Sequence, residues 1–338
     1  MTRNRRTLIA TLAFAALSFS AVSAQAQEIR ERTFRFALQP AKGTSQVAGA
    51  QKFAELVKAK SGGKMVVNVY EGGALGTDTA SLSSMQGGTL DFSLMSVGTL
   101  AGHDKQFSVF DFPYLFNTEK EADAVLDGPV GKKLMAKLPD KGFIGLAYAE
   151  LGFRHIHNSK RPIKTLADLQ GLKLRVIPVP IYLDFMNQEG ANAVPLPYTE
   201  LYSALETKAV DGATNPFQNI EFSKMDEVNK YLSLSRHMYS AMFFIAGKKT
   251  WDKLNAAEQK VLMDAADEAK VFQRQAARQI NAHSLEVLKK TMVVNEISEA
   301  EIAKMRERAK PVIDKWTREV GPELVAEVNA ELAKLRAK

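Results

Sequence analysis

The chain has 338 residues, 45 lysines and arginines against 38 acids for a net charge of +7, and no cysteine. That length exceeds what one small core needs and suits two domains. The missing cysteines exclude a disulfide scaffold and leave an apolar core to supply stability, and basic residues spread among acids exclude a nucleic-acid footprint.

Arg3, Arg5 and Arg6 precede a small-residue apolar run from Leu8 to Val22, closed by Val22-Ser23-Ala24 and Ala24-Gln25-Ala26. This order predicts a secretory signal peptide over 1–26, cleaved near Ala24 or Ala26. The run is short for a membrane anchor and has no charged stop behind it. Arg5-Arg6 hints at twin-arginine export, but the rest of that motif is poor, which favours the general route. Cleavage removes three arginines and no acid, so the charge falls from +7 to +4. No later segment approaches the length of a spanning helix, so the mature chain is expected to be soluble.

Thr33–Leu38 alternates as a strand, and Val47, Ala50, Phe53, Ala54 and Val57 mark one face of a helix that Gly62-Gly63 ends. Met65–Tyr70 reads as the second strand. A Gly-rich turn over 71–76, a short helix ending at Gly87-Gly88 and a strand from Leu90 to Met95 follow. Such alternation predicts a parallel α/β sheet. Helices start at Asn117-Thr118, where Thr118 and Glu121 form a capping box, and at Gly128-Pro129. The strand Gly142–Ala149 runs into Gly152-Phe153-Arg154-His155, where the chain is expected to cross between domains.

A second α/β set runs through Leu172–Ile177, a helix over Ile181–Glu189, the strand Ala193–Leu196, a helix over Thr199–Lys208 and a strand at Val210-Asp211-Gly212. Tyr239–Ala246 is strand-like and is expected to return to the first domain. Asn255 with Glu258 starts a helix to about Thr291, reaching roughly 50 Å at 1.5 Å per residue. Ser298 with Glu301 caps another, which Pro311 is expected to kink or restart. Nothing in the pattern calls for a coiled coil or an obligate interface, so a monomer is expected.

Enzyme motifs are scarce: no P-loop, no dinucleotide fingerprint and no Gly-x-Ser-x-Gly elbow occur. His155 and His157 share a strand face, but no third ligand of matching spacing accompanies them, so they read as surface or packing residues and no metal or cofactor is expected. Two arginines differ. Arg154 follows a strand where two domains meet, and Arg175 lies inside the apolar strand Leu172-Lys173-Leu174-Arg175-Val176-Ile177. Arginine there needs an anion, either an internal acid or a ligand carboxylate that its planar fork matches. Its place near the carboxyl end of an α/β strand is where ligands bind. Asn215 precedes Pro216 in a turn after a strand, and its amide is equally suited to a plain turn or to reading a ligand oxygen.

These residues carry a resemblance. Gly152-Phe153-Arg154-His155-Ile156, Lys160–Thr165, Asp168-Leu169, Gly171–Val176, Gly190-Ala191-Asn192, Pro195-Leu196-Pro197, Glu200–Leu205 and Val210-Asp211-Gly212 resemble the solute receptors of TRAP transporters, the DctP family. Gly73-Ala74-Leu75-Gly76, Gly87–Phe92, and Trp251 with Leu254 extend the similarity over nearly the whole mature chain. It implies a periplasmic binding protein fold: two α/β lobes, 27–151 with 241–280 and 152–240 with 281–338, joined by a hinge and braced by the long helix. It also implies a periplasmic receptor, not an enzyme, that hands a small organic acid to an ion-gradient-driven membrane permease. C4-dicarboxylates, hydroxy or keto acids and sugar acids all fit. By the same resemblance Arg175 pairs with the ligand carboxylate, Arg154 and Asn215 assist, Gln39 and Ser96 face the cleft, and Tyr198 packs on the ligand. Ala213-Thr214 replaces a polar pair found in many members, which alters the expected wall at the ligand's far end. The rival readings are a receptor for an ATP-driven importer or sensor, and a periplasmic enzyme acting on an organic acid.

Overall fold

The structure is a computed structural model that describes residues 28–337. The leader and its cleavage sites lie outside the described residues. The first α/β unit comprises β1 (Arg32–Ala37), α1 (Ser45–Lys60), β2 (Met65–Tyr70), α2 (Asp78–Gly87) and β3 (Phe92–Ser96). The short helices α3 (Glu119–Asp127) and α4 (Pro129–Met135) lead into β4 (Phe143–Asn158). The second unit follows with β5 (Lys173–Val176), α5 (Pro180–Gln188), β6 (Asn192–Pro195), α6 (Leu201–Glu206), β7 (Gly212–Asn215) and α7 (Phe217–Phe222). The return strand β8 (Tyr231–Gly247) leads through the single turn α8 (Lys248–Trp251) into α9 (Ala256–Thr291). The strand β9 (Val293–Glu296), which sequence pattern does not reveal, and the helices α10 (Glu299–Val320) and α11 (Pro322–Arg336) end the described chain.

The strand order is β2-β1-β3-β8-β4-β7-β5-β6, with β9 beside β8. The sheet is mixed and not wholly parallel: β1–β3 pair in parallel, as do β5–β7 and β8 with β9, but β4 and β8 run antiparallel to each other, β8 to β3 and β4 to β7. These two long strands pass through both units and join them. Their register slips at Gly145/Ala147, Glu150/Gly152 and Arg154/Ile156, and Gly152 takes a φ of +109°. Bulges bend and twist a strand pair locally, so the crossing read at Gly152 falls where the ladder is most irregular.

The first unit buries Phe34, Phe36, Phe53, Phe92 and Phe244 as one aromatic cluster, in which Phe34 and Phe92 meet edge-to-face at 5.2 Å. The second unit has its own apolar layer around Leu201, Leu205, Ala213 and Ile220. Helix α9 is 36 residues long and opens on the capping box read from Asn255 and Glu258. It lays Leu262, Ala265, Ala266, Ala269 and Ala277 against α1 and β4, then reaches α7, so it contacts both units. Gly49 allows the close approach: a Cβ there would stand 2.5 Å from Gln273 Cγ. Helix α10 packs on α5, and α11 on α3 and α4, so the C-terminal helices touch both units as well.

Two expectations are corrected. Pro311 does not restart the helix: α10 is continuous from Glu299 to Val320 with Pro311 inside it, and Ala309, Val312 and Trp316 are buried around the proline and hold the helix against the core. Strand β7 begins at Gly212, not Val210, and Asn215 is its last residue and not a turn residue. The reason is packing: a Cβ on Gly212 would stand 2.1 Å from the His157 carbonyl oxygen, so glycine lets β7 seat against β4, and the buried Ala213 and Thr214 extend it.

Candidate functional site

Carboxyl ends of parallel strands from both units face each other across one cleft, the usual place for a ligand in an α/β sheet. Gln39 and Pro40 follow β1, Met95 and Ser96 end β3, Arg175 and Ile177 come from β5, Tyr198 follows β6 and Asn215 ends β7. The cleft leaves about 70 Å³ open to the centres of water-sized molecules. All six residues singled out from the sequence (Gln39, Ser96, Arg154, Arg175, Tyr198 and Asn215) line it.

Arg175 is 2 % exposed. Its Nε donates to the Leu196 carbonyl at 2.9 Å, and among the described residues its guanidinium makes no ion pair. Burial first, and then the charge of Arg154, lower its pKa to about 9, against smaller opposing effects of Tyr198, Asp78 and Tyr182. An anion beside it relieves both effects. Arg154 is buried too but differently employed: Nε donates to Thr214 Oγ1 at 3.0 Å, one terminal nitrogen to Ser240 Oγ at 3.1 Å and the other to the Thr214 carbonyl. Its Cζ lies 5.4 Å from the centroid of the Tyr182 ring, and Tyr182 in turn donates to buried Asp111 at 2.9 Å. Ala213-Thr214 therefore builds no ligand wall; Ala213 is sheet interior and Thr214 holds Arg154 in place.

His157 is a positioning residue, not a surface one. Its Nδ1 lies 2.6 Å from Asn229 Oδ1, which accepts the ring proton, and its Nε2 then accepts from Asn215 Nδ2 at 3.1 Å. Burial, the largest effect, depresses its pKa to about 4, so the ring is neutral and this tautomer persists at neutral pH. The chain from Asn229 through His157 fixes which way the Asn215 amide faces. His155 stacks on Phe217 at 4.1 Å, the packing role expected of it. Tyr198 shares a hydrogen bond with Ser223 at 2.6 Å, with Arg175 Cζ 6.0 Å from its ring centroid.

Other cleft-lining positions are not apparent from sequence pattern. Asp78, Gln46 and Asn219 also line the cleft. Asp78 reads as a routine first-turn acid after Thr77, whose hydroxyl caps α2 by accepting from Ala80 N. In the fold its carboxyl is pushed up to about 6 by burial, against a hydrogen bond from Gln39 and the charge of Arg175. Behind the cleft, Gln273 of α9 donates to the Glu150 carbonyl and accepts from the Glu150 N–H at 2.9 Å. Gln218 and Asn281 donate to the Leu151 carbonyl at 3.1 and 2.9 Å. These amides satisfy the β4 backbone where the ladder slips, and only three-dimensional proximity reveals them. Across the mouth, Ser45 N donates to Gln218 Oε1 at 2.8 Å, and a Cβ on Gly73 would stand 2.5 Å from Thr199 Cγ2. The two lips are in contact.

The arrangement is that of a two-sided solute trap. Residues 36–319 match the family model described as bacterial extracellular solute-binding protein, family 7 (DctP), and the chain belongs to that family of TRAP-type solute receptors. Among solved structures, a TRAP periplasmic solute binding protein from Ochrobactrum anthropi is 49 % identical, with a TM-score of 0.81 over 92 % of this chain and 97 % of that one. The sugar acid binding protein DctPAm from Advenella mimigardefordensis strain DPN7T, in complex with galactonate, is 43 % identical with a TM-score of 0.89 over 90 % and 99 %. The 2,3-diketo-L-gulonate-binding periplasmic protein YiaO of Escherichia coli K12 is 35 % identical over 77 % of each chain. Among the described residues no helix is long and apolar enough to cross a membrane.

Proposed function

We propose that this receptor binds a small organic acid in the periplasm by its carboxylate on Arg175 and delivers it to the ion-gradient-driven permease of a TRAP transporter. The observation that carries the reading is the state of Arg175: a buried guanidinium lining the cleft, anchored by one backbone carbonyl, with no acid within ion-pair distance among the described residues and only the weaker influence of Asp78 from farther off. A buried cation of this kind is costly until an anion meets it. A carboxylate meets both faces of the problem, because it pairs with the fork through two parallel bonds. Arg154 contributes charge, Asn215 a fixed amide and Tyr198 an apolar face. The galactonate and 2,3-diketo-L-gulonate named for two relatives are acids of this kind.

The reading is of a receptor without turnover, its two lobes closing over the acid about the β4–β8 crossing. The lip contacts supply the closed form that a permease recognises, since a ligand shifts an equilibrium only by its preference for one state. A thermal-shift and calorimetric screen of organic acids tests it. A true ligand at a hundred times its Kd raises stability by about 2.7 kcal/mol, and Arg175→Ala abolishes that shift at the same concentration. Equal binding by the wild type and Arg175→Ala refutes the anchor. Delivery is tested by solute uptake in cells in which the Arg175→Ala receptor replaces the native one.

A further inference from the structure

We infer that the ligand is a polyhydroxylated acid with a single carboxylate, and that Asp78 is the residue that excludes a second one. The inference rests on the Arg175 reading and deepens it. It starts from the inventory of donors and acceptors in the cleft. Two arginines line the cavity, but three of the five N–H groups of Arg154, one on each nitrogen, already donate to Thr214 and Ser240. Among the described residues, Arg175 is thus the cleft cation whose terminal nitrogens are uncommitted.

The rest of the lining is rich in acceptors. Gln39 Oε1, Gln46 Oε1 and Asn219 Oδ1 are buried and find no hydrogen-bond partner among the described residues, and neither does the Ser96 hydroxyl. Asp78 adds a carboxyl on the same wall as Gln39. Ligand hydroxyls donate to such atoms, whereas a carboxylate has only lone pairs to offer them. A second ligand carboxylate beside Asp78 and Gln39 would meet acceptors and a like charge, with the fork of Arg175 already taken by the first carboxylate and Arg154 held by Thr214 and Ser240. Interfaces reject wrong partners by such unpaired charges, and like-charge juxtaposition is among the costliest of them. Asp78 sits in the first turn of α2, where an acid is also favourable to the helix. That role alone predicts an effect on stability and none on ligand choice.

Calorimetry on the mature receptor with galactonate, galactarate (the same six-carbon chain with a second carboxylate) and hexanoate (the same length without hydroxyls) separates these roles. The wild type is expected to prefer galactonate to each of the other two by about 100-fold or more. Asp78→Asn, which keeps the side-chain size, is expected to narrow the galactonate–galactarate gap at least about tenfold, and melting of the free protein checks that the variant is folded. Galactarate or hexanoate binding the wild type within tenfold of galactonate overturns the inference while leaving the Arg175 anchor intact. So does a folded Asp78→Asn variant with unchanged discrimination. Failure of all three acids to bind the wild type overturns the inference, and Arg175→Ala binding as well as the wild type instead removes the anchor beneath it.

Discussion

The two walls of the cleft are built from equivalent elements, the carboxyl ends of parallel strands, yet they have opposite hydrogen-bonding character. The β5–β7 wall presents a guanidinium and an oriented amide. The β1–α2–β3 wall presents Asp78, Gln39 and Ser96, largely as acceptors. The backbone geometry is shared and the side chains decide the polarity. The difference teaches that this fold supplies the trap, while one uncommitted cation opposite a field of acceptors sets the ligand's chemistry.

The largest expected effect breaks the donor wall. Arg175→Ala removes one partner of a buried pair and should cost about 3–5 kcal/mol, a loss of affinity of about 100-fold to several thousand-fold. Arg175→Lys should recover only part of it, since an ammonium lacks the planar fork. Titration calorimetry with the best acid from the screen reads both.

A second test separates the walls from the mouth. Gly73 has a φ of +73° and its missing Cβ would lie 2.5 Å from Thr199 Cγ2. Gly73→Val should oppose closure and cost about 1–3 kcal/mol by overpacking, a loss of about 5- to 150-fold, seen as faster ligand release with no ligand contact removed. Unchanged release kinetics would show that the lips do not seal the site.

Thr214→Val sharpens the contrast between the arginines. It removes the acceptor of Arg154 Nε, leaving a buried donor unsatisfied, for about 1–3 kcal/mol of stability. Melting temperature should fall while affinity changes by less than in Arg175→Ala. If Thr214→Val weakens binding as much as Arg175→Ala, Arg154 shares the anchor equally.

The smallest effect is on pH. The Asp78 carboxyl is raised to about 6, burial outweighing the hydrogen bond from Gln39 and the charge of Arg175. It is therefore charged above that value and neutral below it. Lowering the pH from 7.5 to 5.5 should narrow the preference for galactonate over galactarate in the wild type and leave it unchanged in Asp78→Asn, as competition binding at the two pH values can show.

Much of the fold is legible in local pattern. Thr118, Asn255 and Ser298 mark helix starts because a side-chain oxygen at an N-cap satisfies an otherwise orphaned amide, and all three accept from the third residue on. Arg175 stands out in sequence because arginine in an apolar strand demands an anion, although pattern alone leaves open whether protein or ligand supplies it. Strand β9 is too short and too exposed to show a period, and the β7 boundary depends on Gly212 fitting beneath the His157 carbonyl.

By itself the sequence determined the alternating α/β elements, the long capped helix and the presence of costly charges in apolar strands, because these follow from local periodicity and desolvation. Only the tertiary structure decided that Thr214 occupies Arg154 while Arg175 stays uncommitted, that Asn229 and His157 aim Asn215, and that Asp78 shares its cavity. Each of those depends on partners from 39 residues away (Gln39 to Asp78) to 97 (Asp78 to Arg175), and a hydrogen-bond inventory is fixed by proximity in space, which no local pattern encodes.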